Sequence, residues 1–128
     1  MHKVRQADKI RRLATVLEDS NDAIAVLDLE GNILAWNKGA QQLYGWTESE
    51  ALKMNINEIV PENNQNELKS FIKKIEKGET VKSFKSQRKT KAGKILDVWL
   101  TGTALTDETG RTTEIAITER ALVWLGEK

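Results

Sequence analysis

Residues 27–40 read LDLEGNILAWNKGA. Two short apolar runs are separated only by Glu30-Gly31-Asn32, and the second run stops at Asn37. Gly31 supplies the backbone freedom of a tight turn, so residues 23–29 and 32–36 read as two paired strands. Asn37 is a good helix N-cap. Ala40, Leu43 and Tyr44 then give a short helix its apolar face, and Gly45 suits the left-handed position that ends one. The chain makes a hairpin and leaves it abruptly for a helix.

Downstream of this corner the signals stay helical for about forty residues. Thr47-Glu48-Ser49-Glu50 matches a capping box: the Thr47 hydroxyl can accept from the Glu50 amide while the Glu50 carboxylate reaches back. A second short helix therefore starts here. Ile56, Ile59 and Val60 follow, and Pro61 breaks the segment. A longer helix is expected over 62–77. Its Leu68, Phe71, Ile72 and Ile75 fall at i, i+3, i+4 and i+7, and Gly78 closes it. The period then changes to two. Residues 81–90 and 95–105 alternate like strands joined through Lys91-Ala92-Gly93-Lys94. Thr106 to Gly110 makes another turn, and 112–118 reads as a last strand.

Upstream, Ile10, Leu13, Ala14 and Leu17 form one helical stripe among basic residues. This predicts an amphipathic helix that packs on its own domain or on a partner. The division expected is a flanking helix over 1–20, a core over 21–118 and the start of a connector helix over 119–128. Strands at both ends of the core enclosing a helical middle predict an α+β fold with one antiparallel sheet.

Composition narrows the function. The chain has 128 residues, a single proline and 39% hydrophobic residues, which suits one globular domain. Cysteine is absent, which excludes disulfides, thiolate nucleophiles and zinc–thiolate sites. A net charge of +1 argues against a dedicated nucleic-acid binder. No apolar stretch reaches the ~20 residues that span a bilayer, and the first residues lack a signal-peptide core. The expected setting is cytoplasmic, without membrane or nucleic-acid contact. Serine or cysteine catalysis needs a placed base, and the single histidine is His2. The acid pairs Asp19 and Asp22, Asp28 and Glu30, and Glu48 and Glu50 read as turn and cap chemistry. No phosphate-cradling glycine loop appears. The chain is not expected to be an enzyme.

Several stretches in this order resemble the PAS sensory family with its C-terminal motif: DAIAVLDLEGNILAWNKGA at 22–40, YGWTESEAL at 44–52, RKTKAGKI at 88–95, LTDETGR at 105–111 and ITER at 117–120. The wording DVWLTGTAL at 97–105 is most similar to modules attached to bacterial sensor histidine kinases and chemotaxis methylesterase–methyltransferase fusion proteins. The resemblance implies a five-stranded antiparallel sheet with short helices over one face and a cavity between them. It implies a sensor that binds a small ligand or partner and relays a change to an output domain in the same polypeptide. A ligand-free homodimerisation scaffold is the alternative, and a non-covalent flavin or haem sensor a second one.

The cavity candidates are Ile24, Val26, Ile33, Trp36, Ile56, Ile59, Leu68, Ile72, Phe84, Val98 and Leu100. They could line a site for an apolar or aromatic metabolite, or simply fill a core. Haem-binding relatives carry a histidine on the long helix, and this one has none; Tyr44, Met54 and Met1 are the other conceivable axial ligands. A flavin–cysteine adduct is excluded, whereas a non-covalently held flavin is compatible with the residues. Lys82, Lys85, Arg88, Lys89, Lys91 and Lys94 read as the solvated side of a hairpin. On the fourth strand, Val98, Leu100 and Gly102 should face inward and Trp99, Thr101 and Thr103 outward. Exposed Trp99 then calls for cover by Ile10, Leu13 and Leu17, or by a second subunit. The resemblance places signal output at Thr118, Glu119 and Arg120. Ala116 stands where the family's Asp-Ile-Thr triplet has its aspartate.

Overall fold

The computed structural model of the protein describes residues 22–122. The helix expected over 1–20, with Ile10, Leu13 and Leu17, lies outside the described residues, as do the last six positions of the expected connector. The elements run β1 (Ala23–Asp28), β2 (Ile33–Trp36), α1 (Lys38–Tyr44), α2 (Glu48–Ala51), single helical turns at Ile56–Glu58 and Glu62–Asn64, α3 (Gln65–Glu76), β3 (Val81–Lys89), β4 (Ile95–Thr106) and β5 (Thr112–Ala121). The five strands form one antiparallel sheet in the order β2-β1-β5-β4-β3. The first and last strands are therefore central neighbours.

The opening corner is built by local chemistry. One carboxylate oxygen of Asp28 accepts from the Glu30 amide at 3.0 Å and the Asn32 amide at 2.8 Å, and Gly31 takes φ +91°. Asn37 closes the second strand. Its Oδ1 accepts from Ala40 N at 2.9 Å, capping α1, and from Ile24 N at 2.8 Å, tying the helix start to β1. Gly45 ends α1 at φ +87°, and the Thr47–Glu50 capping box forms with both bonds.

The helices cover one face of the sheet. Leu27, Ile33, Trp36, Ile59, Phe71, Ile75, Val98, Leu100, Ile115 and Ile117 meet there in one buried cluster. Packing is close over β4, where α3 lies directly on Gly102. A Cβ there would sit 2.3 Å from the Phe71 ring. Only glycine allows that approach.

Two expectations are corrected. In β1 the residues belonging to the helix-side cluster are Ala23, Ala25 and Leu27; Ile24 and Val26 are buried but point to the opposite face. Every residue from Ala23 to Leu27 is apolar, so alternation could not set the phase, and the bulkier side chains are not the inward ones. The small alanines lie on the helix-covered face, and Ala25 pairs with Trp36. Second, β5 does not stop at 118 but continues to Ala121, pairing Leu100 with Glu119 and Val98 with Ala121. The residues expected to begin a connector helix are still sheet.

Candidate functional site

One connected set of polar side chains crosses the otherwise apolar interior. β3 places Phe84, Ser86 and Arg88 on the helix side, and β5 places Glu119 beside them. Arg88 is 2% exposed and Glu119 6%. Each Glu119 carboxylate oxygen accepts one bond: Oε1 from the Tyr44 hydroxyl at 2.5 Å, Oε2 from Arg88 Nε at 2.9 Å. Arg88 Nη1 also donates to Ser86 Oγ at 3.1 Å and to the Gln87 carbonyl at 2.8 Å. Ser86 in turn donates to Glu67 of α3. The path joins α1, α3, β3 and β5.

Electrostatics explain why these bonds persist. A buried carboxylate needs a cationic partner and further hydrogen bonds, since taking both charges out of water costs several kcal/mol per ion. Burial pushes the Tyr44 hydroxyl well above its ordinary value, and the neighbouring Glu119 charge pushes it further, with Arg88 opposing. Tyr44 therefore stays a donor throughout the neutral range. Its hydroxyl is committed to Glu119, which does not fit an axial haem ligand. Met54 packs against the core cluster, and α3 carries no histidine. The Phe71 and Phe84 rings stack 6.0 Å apart between α3 and the sheet, so apolar side chains occupy this part of the interior. Among the described residues no group of His, Cys, Asp or Glu could hold a metal ion.

Of the expected cavity residues, Ile33, Trp36, Ile56, Ile59, Leu68, Val98 and Leu100 come together in the buried cluster, with Ile72 and Phe84 packed against it. Ile24 and Val26 do not join them. Trp36 donates from Nε1 to the Trp46 carbonyl at 2.9 Å, and Lys91 sits over the Trp46 ring while pairing with Glu50. The basic hairpin divides. Lys85, Lys89, Lys91 and Lys94 are exposed, whereas Arg88 is a core residue. Period two from Phe84 through Ser86 to Arg88 was the signal that could have found it.

The opposite face of the sheet is different in kind. Trp99 is 44% exposed and Ile95 46%. Asp22, Trp99, Leu100, Thr101, Thr118 and Arg120 line an open cleft of about 410 Å³ there. Arg120 donates from Nε and Nη2 to the two carboxylate oxygens of Asp22, at 3.1 and 3.2 Å. Thr118 and Arg120 thus lie on this face and Glu119 on the other, so the three expected output residues are split across the sheet. No described helix is long and apolar enough to cross a membrane.

These features agree with what the chain is similar to. Over 60 residues it is 35% identical to the sensor protein FixL of Bradyrhizobium diazoefficiens, matching 47% of this chain and 12% of that protein's length. A PAS domain from Colwellia psychrerythraea superposes with a TM-score of 0.79 at 23% identity, covering 88% of this chain and 96% of that one. The PAS domain of an HTR-like protein from Haloarcula marismortui gives 0.72 at 22% identity, over 94% and 97%. A LOV protein from Rhodobacter sphaeroides gives 0.79 at 14% identity, over 94% and 70%. The PAS-fold family pattern itself matches residues 11–120, and with this sheet order and helical cover the chain belongs to the PAS family.

Proposed function

We propose that this chain is the sensory relay module of a multidomain signalling protein. It assembles as a homodimer through the outer face of its sheet, in the cytoplasm, and passes a change of packing to an output domain in the same polypeptide. Catalysis would belong to that output domain, whether kinase, cyclase or chemotaxis enzyme. The similarity to a protein named as a sensor supports the sensory part of this reading. The mechanism is a population shift: the input favours one arrangement of helices and sheet, and the flanking segments respond.

The single observation that carries the assembly is Trp99. A tryptophan 44% exposed on the outer side of β4, on the same strand face as the exposed Ile95, leaves apolar surface in water that a second copy would bury. The interior, by contrast, holds one buried cluster of apolar side chains, and Tyr44, Glu119 and Arg88 within it are bonded to one another. That favours an input from a partner surface over one from an enclosed small molecule. Native mass spectrometry at micromolar concentration tests this directly. The expected result is a dimer that Trp99→Ser converts to monomer with the far-ultraviolet circular dichroism unchanged. A monomeric parent carrying an extra mass that denaturation removes would make it a small-molecule sensor instead.

A further inference from the structure

The last four described residues of the chain are fastened three ways. Glu119 is held inside by Tyr44 and Arg88. Arg120 is held on the outer face by Asp22, the residue immediately before β1. The Leu122 amide donates to the Asp97 carbonyl of β4 at 3.0 Å. The segment that carries the chain out of the sheet is thus bonded to the interior, to the incoming chain and to the neighbouring strand.

Stability alone does not explain why the innermost fastening is ionic. Apolar side chains of similar volume do the same job as a buried ion pair, often better. What an ion pair adds is an all-or-none response. If either donor withdraws, a carboxylate is left buried with half its partners, and the cheapest relief is for it to reach water. Glu119 is placed for that relief, two residues from the end of β5, where strand pairing is easiest to open.

We propose that Tyr44–Glu119–Arg88 is a latch that holds the exit end of β5 on the sheet. Withdrawal of Tyr44 or Arg88 frees residues 119–122, and through Arg120 it loosens the chain at Asp22. Tyr44 ends α1 and Arg88 lies two hydrogen bonds from α3, through Ser86 to Glu67, so any shift of the helical cover reaches the latch. The inference rests on the reading of this chain as a relay module and names the contact through which the relay runs.

Hydrogen–deuterium exchange on the full 128-residue chain tests it, with Tyr44→Phe as the variant because it removes one hydroxyl and little else. Exchange in peptides covering 119–122 and 22–24 should accelerate about tenfold or more, while the hairpin at 27–33 and the middle of β5 keep their rates. Uniform acceleration throughout the chain, or no acceleration at 119–122, overturns the latch. A second variant, Arg88→Met with Glu119→Leu, replaces the charges by apolar contacts. It should keep exchange at 119–122 no faster than in the parent, and adding Tyr44→Phe, which removes a hydroxyl then left without its acceptor, should not raise it; acceleration in that background also overturns the latch. Oligomeric state reports separately on the proposed assembly. A dimer that exchanges uniformly loses the latch and keeps the assembly, and a monomer with localised exchange does the reverse.

Discussion

Glu119 and Arg120 are neighbours on β5, and both form ion pairs, yet the strand sends them to opposite faces and into different physics. Glu119 meets Arg88 where the two side chains are 7% and 3% exposed; Arg120 meets Asp22 with exposures of 74% and 26%. In the interior each charge depends on the other, because neither has water to fall back on. On the outer face water and salt compete for both partners. The same chemistry is structural on one side of the sheet and adjustable on the other. The sharpest way to break the comparison is to remove one interior charge. Arg88→Met should cost about 3–5 kcal/mol in urea unfolding, because it strands Glu119, and adding Glu119→Leu should recover most of the loss. A single substitution costing no more than a surface change would mean that Glu119 reaches water in the folded state.

The interior also has a pH signature. Tyr44 is held above its ordinary value of 10.0, so the fold favours its protonated form. That contribution is complete below 10.0 and is lost as pH rises past it, because the unfolded chain then releases a proton that the folded chain keeps. Urea midpoints should therefore fall between about pH 10 and 11 more steeply in the parent than in Tyr44→Phe. Tyr44 is the only tyrosine, so tyrosinate absorbance reads it alone; it should appear together with unfolding rather than before it.

Packing separates the faces as clearly as charge does. Gly102 on the covered side has no room for a methyl group: its Cβ would meet the Phe71 ring at 2.3 and 2.9 Å and Ile75 Cδ1 at 3.1 Å. Phe71 is itself buried and cannot swing aside. Gly102→Ala should cost about 1–3 kcal/mol, and Phe71→Leu in the same chain should return part of it. Thr103, next in β4 but exposed on the outer side, should tolerate alanine within about 0.5 kcal/mol. Equal costs would mean that α3 does not press on β4.

How much of this was legible depended on whether the cause was local. The turn at Gly31, the caps at Asn37 and Thr47, the end of α1 at Gly45 and the inward set on β4 were all readable, since each depends on residues a few positions apart. The phase of β1 was not, because Ala23 to Leu27 is apolar on both parities. The role of Arg88 was hidden by its company: five lysines around it made a charged surface the simplest reading. The end of β5 was misplaced for the same reason. Glu119 and Arg120 look like a solvated continuation until one knows that Arg88 of β3 reaches across β4 to the first of them. Contacts between residues 31 positions apart leave no mark on local pattern.

The smallest expected effect bears most on whether the two faces act together. Arg120→Ala should leave the urea midpoint unmoved within error, because the guanidinium is exposed and its raised proton affinity comes from the hydrogen bonds to Asp22. Exchange at 22–24 should nonetheless accelerate. Coupling between sites is reciprocal, so if the interior contact governs the outer one, the outer contact must bias the interior by the same free energy. Tyr44→Phe combined with Arg120→Ala then gives less than the product of the two single accelerations at 22–24, since the first change already releases what the second removes. Strictly multiplicative rates would mean that Glu119 and Arg120 merely share a strand, and that the outer face answers to its own partner alone.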